Sequence, residues 1–135
     1  MTPQTNKELI HQYLEALRKD KRPVTLDKYI AEEELKQHIA MFEVSFPGYW
    51  LEPLDMVAEG DQVFVRSTFH GVQNGKFMDA PPTHKTVEAP LYIVYKIAHN
   101  KIVAHGMLAD MFGIMQQLML LANSEIKPQQ AVQSE

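Results

Sequence analysis

The sequence predicts an α+β fold in which N-terminal helices pack on one face of an antiparallel sheet. The first observation is a change of period. Apolar residues recur at three- and four-residue steps up to residue 46, and then at every second residue. The second observation is that turn signals, rather than helices, separate the later apolar runs. Helical segments followed by hairpin-connected strands are typical of this class.

Three helices are predicted before residue 47. The first begins near Asn6 and ends before Pro23. Its apolar stripe consists of Leu9, Ile10, Tyr13, Leu14 and Leu17. A short second helix begins at Thr25, and a third spans residues 33–46.

Four strands are predicted after residue 48, and turn residues separate them. The strands span residues 49–59, 62–70, 85–98 and 101–109. Gly60-Asp61 and Asn74-Gly75 each predict a hairpin turn, and His99-Asn100 predicts the last turn.

Helical spacing returns at Met111 and continues to Ala122. Residues 1–123 are therefore predicted to form one domain, followed by a flexible polar tail, residues 124–135. A chain of 135 residues, of which 45% are hydrophobic, can bury about two thirds of the surface of its unfolded state.

The composition argues against several classes of protein. A formal net charge of −4 is unfavourable for binding nucleic acid or an anionic membrane. The chain has no cysteine, which excludes disulfides and metal–thiolate sites, and its histidines lack metal-ligand spacing. No glycine-rich phosphate loop is present, so neither a metal nor an organic cofactor is expected. The first residues do not resemble a signal peptide, and a cytoplasmic protein is expected.

Several short segments occur in an order that is informative as a set. They are Phe46-Pro47, Ala58–Arg66, Pro81–Thr83, Lys101–Val103, Asp110 and Gly113–Leu118. In this order the sequence resembles the SnoaL-like polyketide cyclases, a family of the NTF2-like superfamily. The resemblance covers roughly residues 9–118.

The resemblance implies an NTF2-like cone, in which the N-terminal helices pack in the concave face of a curved, mostly antiparallel sheet. It also implies an apolar cavity at the open end of the cone and a homodimer formed through the sheet. Characterised members close a ring in an aromatic polyketide by aldol condensation, without metal or organic cofactor. The expected partner is therefore an apolar small molecule.

Asp110 is the strongest candidate for catalysis, since it matches the acid/base aspartate of the family. Period-two alternation predicts that its face of the last strand also carries Ile102, Ala104, Gly106 and Leu108. If that face lines the cavity, loss of water makes the carboxylate a better proton acceptor, and Asp110→Asn should slow turnover by about 10²–10⁴-fold. In the alternative, Asp110 caps the following helix, and the two roles are compatible.

Arg66 and His70 are the other predicted catalytic residues, on one face of the second strand. Arg66 matches a position that is usually arginine in the family, and it can polarise a substrate carbonyl or steady an enolate. In the alternative it pairs with a carboxylate across the sheet. His70 can donate a hydrogen bond to a developing oxyanion, or it can face solvent near the end of its strand.

Six further residues are predicted to contact the substrate: Tyr13, Tyr92, Trp50, Gly106, Leu108 and Phe42. A phenol in a dry cavity can donate a hydrogen bond to a carbonyl, although tyrosine also packs as a core aromatic residue. Tyr92 and Tyr95 point to opposite faces, so at most one of them lines the cavity directly.

The sequence thus predicts a cofactor-free cyclase or isomerase in which Asp110 removes a proton next to a carbonyl of an apolar molecule. The alternative is a non-catalytic dimeric module that binds a hydrophobic ligand or a partner protein. Ile93 and Gly106 favour the alternative, because they stand where the family often has a polar residue and a tryptophan.

Overall fold

The predicted α+β order is confirmed. The computed structural model describes residues 3–119, with three helices, four strands and a last short helix. The helices are α1 (Pro3–Lys19), α2 (Pro23–Tyr29), α3 (Glu33–Ser45) and α4 (Met111–Gln117). The strands are β1 (Trp50–Glu59), β2 (Gln62–Val72), β3 (Thr86–Ala98) and β4 (Lys101–Ala109).

The boundaries differ little from prediction, with one exception. Helix α4 ends at Gln117 rather than at Ala122, and residue 118 begins a turn that places Met119 at a positive φ of 60°. The predicted domain boundary at residue 123 and the predicted flexible tail lie outside the described residues. Within residues 3–119, no helix combines the length and the apolar character needed to cross a bilayer.

The four strands form one antiparallel sheet in chain order, and its inner face is covered by the helices. Alternation fixes which side chains point inward. Strand β3 shows this most clearly, because every second side chain from Val87 to Ile97 is buried and the others are mostly exposed. The stripe of α1 packs on this face, with Ile10, Tyr13, Leu14 and Leu17 at most 5% exposed. Each such side chain contributes about 1.5–3 kcal/mol by burial.

The Asn74-Gly75 turn prediction is wrong, because residues 73–85 form a longer loop between β2 and β3. Gln73, fully buried, organises this loop: its Oε1 accepts hydrogen bonds from the Thr83 backbone and hydroxyl at 3.0 and 2.7 Å. Gly75 instead lies against the end of α3, where its N–H donates to the Ser45 carbonyl at 3.1 Å. A side chain at Gly75 would collide with the Val44 carbonyl, so close approach explains this glycine.

Strand β4 contains a bulge that sequence alternation alone does not reveal. Ile102 pairs with Ile97 and Ala104 with Lys96, so Val103 is an extra residue on β4. The alternation therefore changes phase. Ile102 is buried before the bulge, whereas the inward residues after it are His105, Met107 and Ala109, opposite the buried Tyr95, Ile93 and Leu91.

The prediction that Ala104, Gly106 and Leu108 share a face with Ile102 is consequently wrong. Ala104, Gly106 and Leu108 lie on the outer face of the sheet, and Leu108 is 74% exposed. The physical reason is the additional residue, since one inserted position exchanges the two faces of a strand.

The Ile102 carbonyl beside the bulge holds the segment between α2 and α3. It accepts hydrogen bonds from the N–H groups of Ala31 and Glu32, at 2.8 and 3.2 Å. These bonds place Glu32, the residue before α3, next to β4.

Candidate functional site

An apolar cavity lies between the inner face of the sheet and the helices. Helix α3 forms one wall with Leu35, His38, Ile39 and Phe42, which share one helix face because of their three- and four-residue spacing. The inner residues of β3 and β4, including Ile93 and Met107, form the opposite wall. Its polar side chains are three tyrosines and one histidine.

The three tyrosines are Tyr13, Tyr49 and Tyr95, and each is at most 4% exposed. Burial raises the pKa of all three phenols, and the nearby Tyr95 raises the pKa of Tyr13 further. The rings of Tyr13 and Tyr95 meet edge to face, with centroids 5.7 Å apart. These phenols therefore stay protonated at neutral pH, and the hydroxyls of Tyr13 and Tyr95 are hydrogen-bonded to each other.

The cavity is small, at about 30 Å³. A water needs roughly 10–15 Å³ on this measure, and pockets for drug-sized ligands measure roughly 300–1,000 Å³. The side chains therefore close the cavity nearly completely, and a ligand larger than a few waters enters only when the wall moves.

One edge of the cavity carries a chain of three ionisable side chains: Glu32, His105 and His38. The Glu32 carboxylate lies 2.6 Å from Nδ1 of His105, and Nε2 of His105 lies 3.3 Å from Nδ1 of His38. The side chains of His105 and Glu32 are 4% and 17% exposed, whereas that of His38 is 33% exposed and lines the cavity. We call these three residues the imidazole relay.

Sequence analysis missed the relay, because its members are far apart along the chain and the bulge reverses the orientation of His105. Glu32 and His105 are separated by 73 positions, and His38 and His105 by 67. A usable signal was present in the cluster Glu32, Glu33, Glu34 and His38 at the start of α3, which places carboxylates within one turn of an imidazole.

Asp110 lies at the end of β4, exposed, and caps α4. Its carboxylate accepts a hydrogen bond from the Gly113 N–H at 2.9 Å, which confirms the capping alternative. Among the described residues, those that line the cavity do not include Asp110. Its catalytic role stays a prediction that no contact with the cavity supports.

Arg66 and His70 lie on the outer face of the sheet. Arg66 pairs with Asp55 across β1 and β2, with nitrogen–oxygen distances of 2.6 and 2.7 Å, which confirms the ion-pair alternative. His70 lies 2.9 Å from the Glu52 carboxylate and stacks on Trp50 at 4.4 Å. The structure therefore groups these residues away from the cavity.

The predicted substrate contacts divide in the same way. Tyr13 and Phe42 line the cavity. Trp50, Tyr92, Gly106 and Leu108 lie on the outer face, where the Trp50 ring carries the guanidinium of Arg18 at 3.6 Å. Of the two tyrosines on β3, Tyr95 is the one that points inward.

The family follows from a comparison of the whole sequence with family models. The model of the SnoaL-like polyketide cyclases matches residues 4–118. The chain belongs to this family. Among curated proteins, no significant match is found.

Several solved structures share this fold. TsrD from Streptomyces laurentii is 23% identical, with a TM-score of 0.72, and the match covers 87% of this chain and 97% of TsrD. AclR from Streptomyces galilaeus is 19% identical, with a TM-score of 0.76 and the same two coverages. A SnoaL-like polyketide cyclase from Agrobacterium tumefaciens is 17% identical, with a TM-score of 0.72, covering 87% of this chain and 99% of that one. At these identities the likeness shows the fold, which is NTF2-like.

Membership in the SnoaL-like family does not by itself assign roles to residues, because one fold supports many chemistries. The cavity offers phenols and an imidazole at its edge. Within residues 3–119, no group of three or more histidine, aspartate or glutamate side chains is placed to hold a metal ion.

Proposed function

We propose that this SnoaL-like protein is a cofactor-free cyclase or isomerase that removes a proton next to a carbonyl of an apolar small molecule. The observation that carries this proposal is the set of three buried, protonated phenols in an otherwise apolar cavity. Such donors stabilise the negative charge that develops on a carbonyl oxygen when the neighbouring carbon loses a proton.

The dry surroundings strengthen this effect. In a cavity lined mainly by aliphatic and aromatic side chains, a hydrogen bond to an oxyanion is worth more than in water. The same walls exclude water from the enolate and hold the reacting carbons together, which favours an intramolecular aldol closure. Phe42 and Phe69, with ring centroids 5.8 Å apart, provide an aromatic wall suited to a flat ring system.

The proposal is tested by hydrogen–deuterium exchange at the α-carbon of 1-tetralone, an apolar aromatic ketone, followed by NMR in D₂O. The protein is expected to accelerate exchange above the buffer rate. Tyr13→Phe and Tyr95→Phe should each slow it by about 10²–10³-fold if the phenol donates to the oxyanion. Tyr92→Phe, which removes a phenol from the outer face, is the matched control and should leave the rate unchanged. Equal rates with and without the wild-type protein reject the proposal.

A second candidate function is a dimeric binding module, and the exposed apolar residues of the outer sheet face favour the dimer. Val57, Phe64, Tyr92 and Leu108 are 63, 41, 38 and 74% exposed and lie in adjacent rows across the four strands. A contiguous apolar patch of this kind is typical of an interface. We propose that a second copy of the chain covers it.

Sedimentation tests the dimer. The wild-type protein should sediment as two copies of the 15.5 kDa chain, and Leu108→Asp as one. Val24→Asp, which alters another exposed apolar residue, on α2, is the matched control and should remain dimeric. A wild-type monomer contradicts the proposed dimer, whatever the exchange assay shows.

A further inference from the structure

We propose that His38 is the catalytic base of this cavity, and that Glu32 and His105 are positioning residues that set its protonation state. The inference rests on the proposed function, because it supplies the group that takes the proton. It replaces Asp110 in that role with a residue that lines the cavity.

The order of the relay determines which nitrogen holds a proton. A carboxylate only accepts hydrogen bonds, so Glu32 requires a proton on Nδ1 of His105. In neutral His105, Nε2 is then an acceptor, and it takes its hydrogen bond from Nδ1–H of His38. Neutral His38 consequently keeps the lone pair on Nε2, which is the form of imidazole that accepts a proton.

Charged and titratable groups approach His38 from its own helix and from β4. Nε2 has Glu34 of the same helix at 3.8 Å, and that carboxylate is 67% exposed. Nδ1 faces His105 from β4, behind which lies Glu32. Three charged or titratable groups therefore lie around the ring, and the only one within hydrogen-bond distance of it among the described residues is His105 on Nδ1.

Anchoring of the chain does not account for the relay. The two backbone hydrogen bonds to Ile102 already hold the segment before α3 against β4. A nearly buried carboxylate–imidazole pair adds the cost of removing charge from water, and an apolar contact at the same place would avoid that cost. A buried carboxylate behind an imidazole is, however, the arrangement that orients a catalytic histidine.

The proton transfer balances with groups already present. His38 Nε2 takes the proton from the α-carbon, the C–H electron pair forms the enolate double bond, and the carbonyl oxygen takes the negative charge. The phenols donate hydrogen bonds to that oxygen. In isomerisation the imidazolium returns the proton to carbon. In aldol closure the enolate carbon attacks a second carbonyl, and the imidazolium gives its proton to the resulting alkoxide.

The first test compares two identical substitutions in helices, His38→Gln and His11→Gln, in the 1-tetralone exchange assay. His11 is exposed on α1 and lies outside the cavity. His38→Gln should slow exchange at least about 100-fold, whereas His11→Gln should not change it. An active wild-type protein with an unaffected His38→Gln variant overturns this proposal and leaves the proposed function standing. An inactive wild-type protein rejects both.

The second test separates positioning from mere structural support. Glu32→Gln keeps an oxygen that accepts the His105 Nδ1–H but removes the negative charge. Because the charge that orients the relay is lost, kcat for exchange should fall at least about tenfold, while KM for 1-tetralone stays at the wild-type value. An unchanged kcat, or a loss seen only in KM, contradicts the positioning role, and circular dichroism confirms that the variant is folded.

Discussion

The two faces of β4 have different surroundings. On the inner face, His105 has a side chain only 4% exposed and bonds to Glu32. On the outer face, Leu108 is 74% exposed, and the exposed Asp110 follows at the end of the strand. The residue that resembles the family's acid is therefore in water, while an imidazole without that resemblance lies at the cavity edge.

The comparison teaches that exposure to water separates these two groups more clearly than their distance along the strand does. The Asp110 carboxylate is exposed to water and accepts the Gly113 N–H as a helix cap. His105 has both ring nitrogens in hydrogen bonds, whereas His38 has Nδ1 bonded to His105 and Nε2 at 3.8 Å from Glu34, beyond hydrogen-bond distance.

The largest expected effect separates the two sides of the bulge. Uninterrupted alternation groups Ile102 with Leu108, but the structure buries the first and exposes the second. Ile102→Ala should lower the free energy of unfolding by about 2–5 kcal/mol, and Leu108→Ala by at most about 0.5 kcal/mol for the monomer. Urea denaturation at a protein concentration below the dissociation constant of the proposed dimer measures both free-energy changes. Similar losses for the two variants would contradict the bulge.

An intermediate effect concerns the phenols behind the inner face. Burial raises the pKa of Tyr13, Tyr49 and Tyr95 above the unfolded value of about 10. Their contribution is fully present below that pH. Above it the unfolded chain releases protons that the folded protein retains, so the free energy of unfolding falls by about 1.4 kcal/mol per pH unit for each phenol.

Urea denaturation at several alkaline pH values checks this slope. Tyr95→Phe should make the decline in the free energy of unfolding less steep by about 1.4 kcal/mol per pH unit, the contribution of one phenol. Tyr92→Phe, on the outer face, is the matched control. If the free energy of unfolding falls equally steeply with pH in the wild-type and Tyr95→Phe proteins, the inner phenols are not shielded from water.

The smallest expected effect concerns Asp110. Asparagine caps helices about as well as aspartate, so Asp110→Asn should change the free energy of unfolding by less than about 0.5 kcal/mol. Because the carboxylate is exposed and outside the cavity wall, the exchange rate of 1-tetralone should stay at the wild-type value. A loss of about 100-fold or more would restore the catalytic role that the sequence suggests.

Local pattern was sufficient to predict most of the fold. Apolar residues recur regularly along α1, β2 and β3 because one side of each element is buried. This periodicity can be read from the sequence alone. The loop after Val72 was not predictable in the same way. Its glycine serves a contact with α3, and its shape depends on the buried Gln73.

The candidate site was predicted only in part, because it depends on contacts across the chain. Tyr13 and Phe42 lie on helix stripes, and their inward direction follows from spacing. The direction of His105 depends on a single unpaired residue, Val103, and its partner Glu32 is brought in by backbone bonds to Ile102. The apolar periodicity of the sequence indicates neither the bulge nor these backbone hydrogen bonds.

The extra residue in β4 also bears on how such a protein can change over generations. Loss of the Val103 codon would leave Ile102 opposite Ile97, Ala104 opposite Lys96 and His105 opposite Tyr95, so each side chain after the bulge would keep its face. The strand would then alternate without interruption. In evolutionary terms the bulge is a place where the gene can lose three nucleotides while the lining of the interior stays the same.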